Sequence, residues 1–419
     1  MRRLSGPLLI LALSIFIAFH IFFLWKGTHV YQRAASKEEL IRATTLIPSC
    51  PDPFYRLGLY YQWNIVNYDL QASIEYLRKA VTRNPLDQGT WFGLAKAFQR
   101  TGQREAFEQS LRRAVSVSPA SFQGRWMAGT LLLQQGEMSR AIEHFSYLLS
   151  AYPGKSSTVF DVLVSVTRDI DWILDQVVSG SPALIHQFLA HLYSMGDPEG
   201  AIKVWARKAS LGIRSDRMET LRQVDFLLSH RLIHEAFRVW EARLREEGLA
   251  ARSGLNLMTN GGFEQEKVLG GGFDWKMLPV PGANTSFDPS VAFEGKRSLK
   301  ISFNGKENVD FHHIFQYVSW RPNADYLLRV RVRTKEVTTK SGVKIEVIGI
   351  GGAGNTGPSL LASSESLTGD NGWKELTVAF RTPDRSQGGM VRVRREKTDK
   401  FDRLLSGTVW LDIFELKEK

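Results

Sequence analysis

Pro85, Pro119 and Pro153 stand 34 residues apart. Laid on that interval, other positions fall into register. Trp91 lies over Arg125, Ala95 over Gly129, Phe98 over Leu132, Gly102 over Gly136, Phe107 over Ala141, Leu111 over Phe145 and Ala114 over Leu148. One helix fits before each glycine and a second ends at each proline. Proline stops a helix because it lacks the N–H and pushes the preceding residue out of the α region. The small residues at Ala95, Gly129, Ala114 and Ala141 let the paired helices approach closely. A repeat of this kind buries its apolar face only against its neighbours, so the period demands a stacked solenoid.

The segments WFGLAKAFQRTGQREAFEQSLRRAVSVSP and RWMAGTLLLQQGEMSRAIEHFSYLLSAYP resemble the tetratricopeptide family, whose period, small mid-helix residues and closing proline they share. The preceding unit, FYRLGLYYQWNIVNYDLQASIEYLRKAVTRNP, carries an extra three residues around Trp63–Ile65. After Pro153 the register wears down. TVFDVLVSVTRDIDWILDQVV still reads as an amphipathic helical segment. Gly196–Ala201–Trp205 copies the Gly102–Phe107–Leu111 order, and Ala236 with Trp240 repeats it. Five or six helical hairpins are therefore expected over residues 51–249.

Residues 1–6 form a short tail with Arg2 and Arg3, followed by PLLILALSIFIAFHIFFLW at 7–25. That run is long enough to span a bilayer core as a helix. It exceeds a signal-peptide apolar region and no clean Ala-x-Ala follows, so an uncleaved signal anchor is expected. The short basic start favours an inner (cytoplasmic) membrane protein, with its bulk on the periplasmic or extracytoplasmic side. Residues 26–50 are a tether in which Ser36 and Glu39 form a capping box.

At Gly254 the helical period stops. SLKISFN, HIFQYVSW, YLLRVRVRT, VKIEVIGI, KELTVAFRTP, MVRVRRE and GTVWLDIFEL alternate apolar and polar residues between Gly, Asn and Thr clusters. Alternation with period two is the mark of half-buried strands. Seven or eight of them make an antiparallel β-sandwich or jelly roll over residues 255–419. NLMTNGGFEQ, GFDWKM, GKRSLKISFN, ADYLLRVRVRTK, NGWKELTVAFRTP and GTVWLDIFELKE, in that order, resemble the galactose-binding-like jelly roll of carbohydrate-binding modules. NLMTNGGFEQ corresponds to that family's opening strand. The fold class is thus multidomain α plus β: one transmembrane helix, an α-solenoid and a β-sandwich.

Several chemistries are excluded or disfavoured. A single cysteine, Cys50, rules out an intramolecular disulfide. The net charge is +11, yet from Leu255 onward 24 Lys+Arg face 20 Asp+Glu and no basic block forms. No nucleic-acid module appears. His234-Glu235 lacks the second histidine of a metalloprotease helix. The Gly-rich stretch at 348–357 has no Gly-Lys-Ser/Thr after it and reads as an inter-strand loop. No catalytic pair or triad stands out, so the chain is expected not to be an enzyme.

Binding is the better expectation. The tetratricopeptide resemblance implies that the first helix of each hairpin lines a concave groove. Its register puts Tyr55, Gln62, Phe92, Lys96, Gln99, Gln123, Trp126 and Thr130 there, while Trp91, Phe98, Leu111 and Phe145 are core. Aromatics beside amides and a lysine suit peptide or glycan recognition; Phe92 and Trp126 serve equally as packing between helices. In the sandwich, sugar recognition needs flat aromatic faces with polar groups for hydroxyls. Trp275, His312, His313, Gln316, Tyr317, Trp320 and Arg394 are the candidates, with Trp275 foremost because it follows GGGFD. Along DFHHIFQYVSW, strict alternation puts His312, Ile314, Gln316 and Val318 on one face and Phe311, His313, Phe315, Tyr317 and Ser319 on the other. No cofactor is required. The jelly-roll resemblance implies a structural Ca²⁺ near Glu264 and Asp412, though Ile413 stands where the family has a second acid.

The sequence thus describes a membrane-anchored, non-catalytic scaffold that takes a protein partner on its repeats and a polysaccharide on its sandwich. The resemblance points to exopolysaccharide assembly or export in a bacterial envelope. The alternatives are an assembly adaptor with a structural β-domain and, behind it, a polysaccharide-modifying enzyme.

Overall fold

The 34-residue interval is a helical hairpin in the computed structural model, which describes residues 5–249, 254–351 and 357–419. Fourteen α-helices precede two antiparallel five-stranded sheets among these residues. Met1–His191 and Leu192–Lys419 form two compact units.

In the first unit, α1 (Ser5–Arg33) contains the stretch Ile10–Arg33, long and apolar enough to cross a membrane. The capping box forms at α2 (Lys37–Leu46), with Glu39 N–H donating to Ser36 Oγ at 3.2 Å and Ser36 N–H to Glu39 Oε2 at 3.1 Å. Three hairpins follow: α3 (Pro51–Trp63) with α4 (Leu70–Arg83), α5 (Gln88–Arg100) with α6 (Arg104–Val117), and α7 (Phe122–Gln134) with α8 (Met138–Ala151). Each second helix ends two residues before its proline. Gly102 and Gly136 close the first helices of the last two hairpins at φ +71° and +75°, a left-handed conformation that glycine adopts without Cβ strain. Asp87 and Ser121 cap α5 and α7. The extra residues of the first hairpin lie in its connection, 64–69, against three-residue connections in the next two.

Ala95, Phe98, Phe107, Leu111, Ala114, Leu132, Ala141, Phe145 and Leu148 are buried. Trp91 is not; it is half-buried, and its Nε1–H donates to the Pro85 carbonyl at 2.9 Å. Arg125, its partner in register, does the same to Pro119 at 2.7 Å. The position therefore selects a donor that ties the helix to the preceding proline turn. The segment after Pro153 also departs from expectation. It breaks into α9 (Ser156–Thr167) and α10 (Ile170–Ile173), because Arg168 turns left-handed at φ 52°; a π turn at Leu174–Val178 then leads towards α11 (Pro182–Met195).

The second unit holds α12 (Pro198–Ser210), α13 (Arg217–Ser229), α14 (Ile233–Glu246) and the sandwich. One sheet runs β1 (Lys276–Met277), β4 (Phe311–Ser319), β9 (Gly388–Arg395), β6 (Lys344–Ile350), β7 (Ser359–Ser363). The other runs β2 (Ala283–Asp288), β3 (Ser298–Asn304), β10 (Ser406–Glu418), β5 (Asp325–Val337), β8 (Gly369–Arg381). The core between them includes Leu299, Ile301, Ile314, Val330, Val391, Val409 and Leu411. Strand β5 shows the expected alternation, with Tyr326, Leu328, Val330 and Val332 buried and Arg329 and Arg333 exposed. The expected opening strand at 256–265 is instead irregular, because Asn260 and Phe263 take φ 49° and 58°. It still follows β10, through Leu257 N–H to the Leu416 carbonyl at 2.8 Å and Phe414 N–H to the Gly261 carbonyl at 2.9 Å. Of the Gly-rich stretch 348–357, residues 352–356 lie outside the described residues.

Helices α13 and α14 lie against the outer face of the β4–β9–β6 sheet. Val224, Leu227, Ile233, Phe237 and Trp240 share one apolar cluster with Leu269, Phe273 and Ile350, and Tyr317 and Met390 pack against it.

Candidate functional site

The first hairpin helices α3, α5 and α7 create a groove because small residues let them come close. A Cβ on Gly93 of α5 would sit 3.8 Å from Leu59 of α3, and one on Gly124 of α7 would sit 2.4 Å from the Gln88 amide of α5. The resulting cavity, about 270 Å³, is lined by Tyr55, Leu59, Gln62, Trp63, Gln88, Gly89, Phe92, Gly93, Lys96, Gln123 and Met127. Five of the eight expected groove residues meet there: Tyr55, Gln62, Phe92, Lys96 and Gln123. The other three do not line it. Trp126 stacks on Phe122 at 6.0 Å and meets Phe145 edge-on at 5.8 Å. Thr130 Oγ1 donates to the Trp126 carbonyl at 2.8 Å, and Gln99 Nε2 points to the Leu131 carbonyl at 3.5 Å.

Leu59 and Met127 were not foreseen, although each stands one helical turn after an expected residue, Tyr55 and Gln123. Phe92 is buried and acts as apolar wall. Gln62 is fully buried; its Nε2 donates to the Gly93 carbonyl at 3.2 Å, while Oε1 has no hydrogen-bond partner among the described residues. Burial pushes the Lys96 ammonium below its ordinary pKa, and Arg100 adds to the shift. Burial and Asp87 push the Tyr55 phenol up. The cavity therefore offers a cation, a buried acceptor and amide groups inside an apolar frame. No acidic side chain lines it among the described residues.

The sandwich candidates divide differently. Trp275 is not an exposed platform. Its ring lies 5.0 Å from Phe263 and 4.7 Å from Phe414, and Nε1–H donates to the Asn260 carbonyl at 3.2 Å. Gln316 is fully buried and latches Thr259 from both ends, with Nε2 to its carbonyl at 2.8 Å and Thr259 N–H to Oε1 at 3.0 Å. Trp320 is buried with Tyr326 and Phe380. Tyr317 is half-buried under the helices, and burial, then Asp225, push its phenol up. Gln316 and Trp320 are thus buried packing groups, while Trp275 and Tyr317 are half-buried against their neighbours.

His312, His313 and Arg394 remain at the surface end of β4 and β9. A register shift between Phe311 and Ile314 lets Phe311 turn inward with Ile314, against strict alternation, and exposes His312. The two imidazoles stack at 4.5 Å. Burial and His312 push His313 below its ordinary pKa, against Asp310. Arg394 pairs with Asp310 and donates to the Phe311 carbonyl at 3.2 Å.

Glu264 and Asp412 already serve as backbone acceptors. Asp412 Oδ2 takes Phe293 N–H at 2.9 Å and Glu294 N–H at 3.2 Å, Oδ1 takes Ile413 N–H at 2.8 Å, and Glu264 takes Lys296 N–H at 3.0 Å. Burial outweighs the opposing N–H bonds and raises the Asp412 pKa, and Glu264 adds to it. No group of three or more His, Cys, Asp or Glu gathers as metal ligands among the described residues. Both carboxylates thus clamp the loop that holds Phe293 to Lys296.

Residues 104–156 match a tetratricopeptide repeat model. No curated protein matches the chain. Among solved structures the chain is similar to a family 16 carbohydrate binding module-2, at 22% identity over 38% of this chain and 99% of that one, with TM-score 0.27. It is similar to pilF of Pseudomonas aeruginosa at 18% identity over 48% of this chain and 78% of that one, with TM-score 0.24. It is also similar to the CBM22-1–GH10 modules of Clostridium thermocellum xylanase 10B, solved with xylohexaose, at 12% identity over 35% of this chain, with TM-score 0.26; it spans only 26% of that xylanase chain. The class of the protein is thus a tetratricopeptide-type solenoid followed by a jelly-roll-like sandwich.

Proposed function

We propose that this chain is a membrane-anchored, non-catalytic scaffold whose repeat groove holds a segment of a protein partner. The observation that supports it is the groove itself. Three successive hairpins converge on a cavity of about 270 Å³, which suits one or two side chains of a peptide. Lys96 and the spare Gln62 acceptor on its walls provide polar anchors. Helix α1 holds the chain at a bacterial inner membrane, with Arg2 and Arg3 on the cytoplasmic side and the remainder outside.

Random dodecapeptides displayed on phage, selected against the full chain in nanodiscs, test the groove. Selected peptides are expected to lose at least about tenfold in affinity, about 1.4 kcal/mol, on Lys96→Glu by fluorescence anisotropy. Indifference to Lys96→Glu would sink the groove reading.

The sandwich belongs to the same proposal as a polysaccharide contact, in exopolysaccharide assembly or export. Its support is the uncovered end of the β4–β9 face, where His312, His313 and Arg394 gather. On a glycan array, His313→Ala with Arg394→Ala is expected to remove binding by the full chain, while a Trp275→Ala variant that keeps its fold still binds. If no glycan binds, the adaptor reading takes its place. A reporter fused after Lys419 that proves cytoplasmic would end the envelope-glycan role.

A further inference from the structure

Loops normally turn polar side chains outward; the 64–69 connection of the first hairpin does the reverse. Ile65 and Val66 are 95% and 89% exposed, and Trp63 and Tyr68 are 55% and 53% exposed. The polar residues are spent on holding the turn. Asn64 Oδ1 accepts Val66 N–H at 3.0 Å and Asn67 N–H at 2.9 Å, and Asn67 Nδ2 donates to the Tyr60 hydroxyl at 2.9 Å. The aliphatic tips are thus fixed in water by a braced turn, so little ordering cost remains when something covers them.

Cations flank this knob. The Arg100 guanidinium lies 4.0 Å over the Trp63 ring and donates to the Gln62 carbonyl at 3.1 Å. Lys96 Nζ lies 5.9 Å from the same ring, on the groove wall. Neither cation has an acidic partner in a salt bridge among the described residues. Trp63 lines the cavity and adjoins the turn, so knob and groove are continuous.

The first unit's own geometry argues against lipid as the occupant. Leu46 and Ile47 pack at Gly27, Arg56 reaches the Tyr31 and Ala34 carbonyls, and Lys37 covers the Tyr61 ring. Helix α3 therefore climbs alongside the end of α1 and carries Trp63 past it. At 1.5 Å rise per residue, the turn sits roughly 20 Å beyond Trp25, well outside a bilayer entered by α1.

We propose that the Trp63–Tyr68 turn is a docking knob for a partner protein, taking a segment that sets an aliphatic or aromatic side chain against Ile65 and Val66 and a carboxylate against Lys96 and Arg100. The proposal rests on the groove reading above and names the chemistry of its partner.

The test uses peptides selected from the same library. Their consensus is expected to place Asp or Glu beside an apolar residue. Ile65→Ser with Val66→Ser, both exposed and outside every core cluster, is expected to weaken them about tenfold with an unchanged circular dichroism spectrum. If Lys96→Glu weakens binding and the double variant stays within about twofold of wild type, the knob is overturned and the groove stands. If neither variant matters, or no peptide is selected, both fall. A consensus without acid overturns the partner chemistry. Sedimentation with phosphatidylcholine–phosphatidylglycerol vesicles that depends on Ile65 and Val66 overturns the protein occupant in favour of membrane. A dimer, seen by analytical ultracentrifugation and lost in the double variant, overturns it in favour of a second copy.

Discussion

Trp240→Ala is expected to destabilise the Leu192–Lys419 unit by about 3–5 kcal/mol, the usual cost of truncating a large buried aromatic. Trp240 is fully buried on α14. Its ring meets Phe273 at 5.6 Å and Phe237 at 6.2 Å, and Nε1–H donates to the Gly271 carbonyl at 3.1 Å. Gly272 allows this approach. At φ +61° it is left-handed, and a Cβ there would lie 2.7 Å from the indole. One side chain thus fastens a helix to the loop that enters the sandwich, and its loss opens a cavity where the two meet. Trp240→Phe keeps most of the apolar area and loses one hydrogen bond, so about 1 kcal/mol is expected from it. Urea denaturation followed by far-ultraviolet circular dichroism reads both. A cost for Trp240→Ala below that of Trp240→Phe would mean that helix and sandwich do not stabilise each other through this contact.

The helical half was legible because its rules are local. Proline, glycine and small residues act within one hairpin, and a 34-residue period repeats the message. The strands of the sandwich were legible for the same reason, since alternation needs only a short window. Three of the four edge strands, β1, β2 and β7, were not: β1 has two residues, and β7 begins beside a glycine run. What alternation cannot show is what lies across the sheet. Trp275 reads as exposed after GGGFD, yet the folded loop carries it onto Phe414 from the far end of the chain. Gln316 sits at an inward position and is kept polar because Thr259, 57 residues away, needs both a donor and an acceptor. The shift between Phe311 and Ile314 moves His312 and His313 relative to strict alternation. Groove residues were read better, since they follow from helix register. Even there, Trp126 packs on Phe122 and Phe145 and does not line the cavity.

Arg395→Met should be the most damaging single change in the sandwich away from the helices, at about 3 kcal/mol or more. Alternation along β9 points Val391, Val393 and Arg395 inward, and all three are fully buried. An arginine in that series contradicts its neighbours unless every donor is used. Here Nη1 donates to Asn308 Oδ1 at 2.8 Å and to the Val309 carbonyl at 2.6 Å, Nη2 to the Arg403 carbonyl at 2.9 Å, and Nε to the Ser341 carbonyl at 3.3 Å. Three separate loops therefore end on one guanidinium. Burial lowers the Arg395 pKa, with Asp310 and Asp402 opposing, but a guanidinium stays charged at any pH the fold survives. Methionine matches the stem and satisfies none of these acceptors, so the buried Val309 carbonyl is left unpaired at a cost of about 1–3 kcal/mol and three partly buried acceptors lose their donor. Arg395→Lys keeps the charge but cannot span the fork, and is expected to fall between wild type and methionine. Hydrogen exchange locates the effect: faster exchange at 306–310, 340–343 and 402–405, with the β10–β3 pairing protected as before, is the expected pattern. Uniform loss of protection across both sheets would show that Arg395 supports the whole sandwich and not these three loops.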